Sequence, residues 1–123
     1  MNTFYRERIE QLPAPFVSTL DAIMDVITAI EEVGRVILFG SCSRGTQTES
    51  SDIDLLILLN SIKAEMPFRK LEEKVGVAIY ERFTFNGKTP VDLLFADEAT
   101  YVSSSDPKSV YQRVKRDGVV LYE

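Results

Sequence analysis

The order of apolar patterns in this sequence predicts an α/β (α+β) chain, a mixed β-sheet backed by helices on one side. Three observations carry that prediction. Apolar residues recur at helical spacing in the first quarter of the chain. Two short strand-like runs, "RVILFG" and "DIDLLILLN", follow, and a third, "TPVDLLF", comes after a charged helical pattern. The 123 residues, 45% hydrophobic and 27% charged, suit a single domain over 1–123 with a core that needs no cross-links.

Taken in order, Phe16, Leu20, Ile23, Met24, Ile27 and Ile30 form one face of a helix from about residue 14 to 32, with Pro13 before it and Gly34 after it. "RVILFG" reads as a short buried strand. Gly40 to Ser51 has turn chemistry without apolar periodicity, so it is a loop with room for one short helical turn. "DIDLLILLN" is apolar on both parities after Asp54, as a central strand covered on both faces would be. Ile62, Met66, Leu71 and Val75 predict a second helix over 62–75 that stops at Gly76. "VAIYERFTF" and "TPVDLLF" flank "NGK", which predicts a hairpin. Near the end, Asp106 is placed to cap a helix with Pro107 in its first position, Val110 and Val114 facing the core and Gly118 closing it before a short apolar tail.

Composition narrows the chemistry. The single Cys42 cannot form an internal disulfide, no stretch resembles a signal peptide, and none approaches the roughly 20 apolar residues that span a bilayer, so the cytoplasm is the expected location. With 19 acidic against 14 basic residues, the chain lacks the broad basic surface that long nucleic acids require, although a single nucleotide remains an acceptable partner. There is no histidine, which excludes Cys/His zinc sites and Ser-His or Cys-His pairs and leaves carboxylates to carry metal or acid-base chemistry.

Asp52 and Asp54 stand at the entrance to a strand, two residues apart, so their side chains leave the same face about 6.5 to 7 Å apart along the chain. Two ionised carboxylates so close repel unless one is protonated or a cation joins them, and hard oxygen ligands suit Mg²⁺ or Mn²⁺. Asp92 opens another apolar run in the same way, and pairing the two strands would gather all three acids. Gly40 at the end of the preceding strand lets backbone approach a ligand closely, Ser41 and the following amides offer donors to an anion, and Arg44 lies near enough to add a charge.

"GS", ten residues and "DID" in "GSCSRGTQTESSDIDLL" resemble the signature of the DNA polymerase β nucleotidyltransferase superfamily, and "GS..RG" with "SDIDLL" is similar to its minimal nucleotidyltransferase (MNT) branch. The likeness runs from about residue 17 to the C-terminus and includes "VDLLF" and "RDGVVLYE". It implies a nucleotidyltransferase fold and a two-metal transfer of a nucleoside monophosphate, AMP from ATP with Mg²⁺, to a hydroxyl, with pyrophosphate leaving. On that resemblance Asp52 and Asp54 match paired metal ligands. Asp92 matches the third acid, which helps hold the catalytic metal and assists deprotonation of the hydroxyl, and Gly40 with Ser41 matches the triphosphate-holding turn. Small MNT proteins resemble antitoxins of HEPN/MNT pairs, which transfer AMP to a tyrosine of a HEPN ribonuclease toxin. That role would explain the lack of a second domain, with a partner protein completing the cleft; a homo-oligomer is also compatible with the sequence. Two rival readings are nucleotidyl transfer to a small molecule such as an aminoglycoside and an MNT fold that neutralises its partner by contact alone.

Some of these residues have simpler readings. Arg44 either meets phosphate or holds the loop by pairing with Glu49 or a backbone carbonyl. Ser51 either contacts phosphate or metal-bound water or is a turn residue. Cys42 is assigned no chemistry. The charges in "FYRER" and "VKRDG" do not by themselves define a ligand.

Overall fold

The structure is a computed structural model that describes residues 9–48, 50–83 and 90–123. Helix α1 (Ala14–Thr28) begins after Pro13, which sets an extended entry, and buries Phe16, Leu20, Ile23, Met24 and Ile27. It stops short of the expected residue 32. The chain turns so that the Val33 amide donates to the Ile30 carbonyl, and Ile30 stays buried in that turn, so the apolar spacing outruns the helix.

Strand β1 (Val33–Phe39) leads into the four-residue helix α2 (Ser41–Arg44), the short helical turn for which the loop had room. Strand β2 (Ile53–Leu59) follows, antiparallel to β1. The second helix departs from expectation. A short α3 (Ser61–Ala64) ends at Glu65, whose φ of 52° breaks the helix, and α4 (Phe68–Arg82) starts afresh after Pro67. Gly76 lies inside α4 and does not end it, because the buried stripe Leu71, Val75 and Ile79 continues through it. That stripe also overturns the hairpin: residues 77–82 are helical, and β3 (Val91–Asp97) pairs in parallel with β2. The Asn86-Gly87 turn lies outside the described residues.

Helix α5 (Glu98–Ser103), unforeseen, follows β3 directly. Helix α6 (Val110–Asp117) is capped by Ser109, whose hydroxyl accepts from the Tyr111 amide at 3.1 Å. Asp106 instead closes the turn before it, accepting from the Lys108 amide at 2.9 Å. The expected apolar tail is a strand, β4 (Val119–Tyr122), antiparallel to β1.

The sheet is mixed, in the order β3-β2-β1-β4. The two long helices back one face, where Leu20, Ile23, Ile27, Leu71, Val75 and Ile79 pack on Ile53, Leu55, Ile57 and Leu59. The other face is not bare: Tyr101 of α5 and Val114 of α6 pack on Ile37, Leu56, Leu58 and Ala96, the two-sided cover that the apolar run of β2 requires. Gly118 lets α6 sit close to the sheet, since a Cβ there would collide with the Val114 carbonyl and lie 2.8 Å from Ile37 Cγ2.

Candidate active site

Antiparallel pairing sets Phe39, the last residue of β1, opposite Asp54, and parallel pairing sets Asp54 directly beside Asp92. The end of one strand and the beginnings of two others therefore meet at one corner of the sheet. Asp54 and Asp92 point to the α5/α6 face, because Leu56 and Leu58 of the same parity as Asp54 lie in the core on that side. Asp52, one residue before β2, shares their parity. Asp54 is half-buried, while Asp52 and Asp92 are exposed.

Gly40 is the close neighbour of this acid pair. Its φ of 75° is a left-handed conformation that favours glycine, and a Cβ there would overlap the Asp54 carboxylate. Ser41 then opens α2, and Ser43 Oγ donates to the Gly40 carbonyl at 2.8 Å, which tightens the turn. Cys42 is buried, its thiol 3.6 Å from the Asp52 carbonyl oxygen, and so pins α2 to the start of β2. Burial first, and then the Asp54 charge, push its thiol pKa up, so it is kept as a packed, neutral thiol.

Burial also pushes the Asp54 carboxyl above its ordinary value, reinforced by the Asp92 and Asp52 charges and opposed by Arg44. The three acids thus share one electrostatic environment. In kind and in register they fit a hard divalent cation, which would relieve their mutual repulsion. As placed, however, no three acidic or thiol side chains among the described residues are gathered closely enough to hold a metal ion.

The remaining expected residues divide. Arg44 is exposed at the C-terminal end of α2 and within electrostatic reach of Asp54; its alternative partner Glu49 lies outside the described residues. Ser51 has a structural task, as its hydroxyl accepts from the Thr48 amide at 2.8 Å and holds the loop. A cleft of about 280 Å³ opens beside Gly40, between Arg44 on one side and α6 on the other, with Phe39 and Val114 in its lining. Arg113 of α6 also lines it. No sequence signal marked Arg113, because only the return of α6 over β1 brings it there.

A sequence profile described as a nucleotidyltransferase domain matches residues 22–100, which include the Gly-Ser turn and all three aspartates. The chain belongs to the nucleotidyltransferase domain family. Over 61 residues this nucleotidyltransferase-family chain is 41% identical to a candidate protein adenylyltransferase of Methanocaldococcus jannaschii, a match that covers 49% of this chain and 57% of that protein. The match thus spans little more than half the length of that relative. A candidate nucleotidyltransferase from Sulfolobus solfataricus shares the fold, at 21% identity over 98% of this chain and 87% of that one, with a TM-score of 0.51. A solved toxin–antitoxin complex with AMP-PNP aligns at 26% identity over 83% of this chain and 71% of that one, with a TM-score of 0.47, too loose a likeness in shape to carry an argument. Among the described residues, no helix is long and apolar enough to cross a membrane.

Proposed function

We propose that this chain transfers AMP from ATP to a hydroxyl group of a partner protein, as the MNT antitoxin that modifies a tyrosine of a HEPN-domain toxin. The observation that carries the transfer reading is the in-register pair Asp54 and Asp92 beside the left-handed Gly40 at the end of β1. Asp52, Asp54 and Asp92 would hold Mg²⁺, or Mn²⁺ in its place, in a two-metal arrangement. When bound, the metal neutralises phosphate charge and aligns the in-line attack. Gly40 and Ser41 hold the triphosphate. The hydroxyl oxygen attacks the α-phosphorus, the bond to the bridging oxygen of the β-phosphate breaks, pyrophosphate leaves, and the Asp92 carboxylate takes the hydroxyl proton.

One observation favours a protein as the acceptor. Asp52 and Asp92 are exposed, so the acid corner is open to a large molecule. The likeness to a candidate protein adenylyltransferase supports the same choice.

The test is incubation of the chain with Mg²⁺, each NTP in turn and a neighbouring-gene toxin, followed by intact-mass measurement. The expected outcome is a gain of one or more AMP units on the toxin with ATP. Transfer of labelled AMP to an aminoglycoside with none to the protein would overturn the protein acceptor. Full neutralisation of the toxin by Asp54→Ala would replace catalysis with inhibition by contact.

A further inference from the structure

The cleft beside Gly40 has two cationic walls. Arg44 stands at the end of α2 and Arg113 on α6, and both line the same space as Gly40, the residue whose missing Cβ leaves room for the Asp54 carboxylate. Neither arginine forms an ion pair among the described residues, and both are exposed. Asp117, one turn beyond Arg113, also lines the cleft, but Arg116 Nε sits 3.4 Å from its carboxylate and offsets its charge.

Arg113 is presented on a firmly held element. Val114 is buried against the sheet, Tyr111 meets the Tyr101 ring edge to face at 5.7 Å, and Lys115 Nζ donates to the Ser104 carbonyl at 3.0 Å. Gln112 donates to the same carbonyl. With its neighbours committed to α5 and the sheet, Arg113 is left on the side of α6 that faces the cleft. A planar guanidinium with a fork of donors matches phosphate oxygens in a way that a point charge does not.

We infer that Arg113 is a nucleotide-binding residue, and that with Arg44 it grips the β- and γ-phosphates of the donor from opposite walls of the cleft. The inference rests on the nucleotidyl-transfer reading and adds to it a residue, on a separate element, that holds the part of the donor that departs as pyrophosphate. Because it acts on the departing phosphates, its loss affects ATP and pyrophosphate alike and spares AMP.

The test titrates the full chain and Arg113→Gln with ATP in Mg²⁺, with inorganic pyrophosphate and with AMP, following heat release. Arg113→Gln is expected to weaken ATP and pyrophosphate about tenfold or more, the loss of one charge-assisted hydrogen bond, and to change AMP affinity less than twofold. Arg113→Lys is expected to fall between, and Arg69→Gln, which removes the same charge from exposed α4 outside the cleft, to stay within twofold. If the full chain binds ATP but Arg113→Gln changes ATP and pyrophosphate less than twofold, the Arg113 assignment is overturned and the proposed function stands. An equal loss for AMP would overturn the phosphate assignment in favour of a contact to the nucleoside. Absence of ATP affinity in the full chain would overturn both readings.

Discussion

The two faces of β2 differ in what they carry. On the α1/α4 side, Ile53, Leu55, Ile57 and Leu59 are fully buried along the whole strand. On the α5/α6 side, Leu56 and Leu58 are equally buried, but the same parity continues back to half-buried Asp54 and exposed Asp52. One strand thus builds core on one face and, where the shorter helices run out, an acidic site on the other. The site lies at the border of the apolar cover, where carboxylates reach solvent while Asp54 and Asp92 share the rigidity of the strands that carry them.

The sharpest way to break this contrast is Asp54→Asn, which is expected to lower AMP transfer on the order of a thousandfold while leaving the fold intact, checked by single-turnover transfer beside circular dichroism. Ile57→Ala on the opposite face should do the reverse. It is expected to cost roughly 2–5 kcal/mol in urea unfolding, with transfer per folded molecule unchanged. A cost near zero would mean that this face is not the core.

Gly40→Ala tests the seam between the faces. A backbone with φ of 75° and ψ of −155° is open essentially to glycine alone and costs about 1–3 kcal/mol with a side chain, and the new methyl displaces the Asp54 carboxylate, so stability and transfer should fall together. The Asp54 variant has a second, smaller readout. Folding raises the Asp54 pKa, so the charged carboxyl weakens the folded state above that value, and the penalty fades as pH falls through it. Asp54→Asn should therefore be the more stable protein at neutral pH, by a margin that shrinks in acid, measured as midpoint shifts across pH. Ser51→Ala should show the least. Loss of its bond to the Thr48 amide is expected to cost about 0.5–1 kcal/mol, and transfer should stay within threefold.

What the sequence made legible was mostly local. The Gly-Ser turn, the short helix after it and the two aspartates lie within 15 residues bounded by two strands, and the structure keeps them together. Asp92 was placed beside Asp54 by the pattern at its strand head, although the segment between them was misread. There, Val77, Ile79 and Tyr80 are residues that favour strands, but Ile79 extends the stripe begun by Leu71 and Val75, and packing against α1 and the sheet outweighs intrinsic preference. Helix α5 left no trace, since only Tyr101 of its six residues is buried and one residue has no period. β4 was legible as apolar but not as paired, because its partner is the distant β1.

The parallel alignment of β2 and β3 governs when the acid corner can come into being. Parallel neighbours cannot be joined by a tight turn, so the polypeptide must complete α3, α4 and the crossover before Asp92 arrives beside Asp54. A nascent chain that has emerged only as far as β2 displays the Gly-Ser turn and two aspartates without the third. On the proposed function, transfer awaits this long-range pairing, and a partner that engages the chain during synthesis would meet a site with two of its three acids.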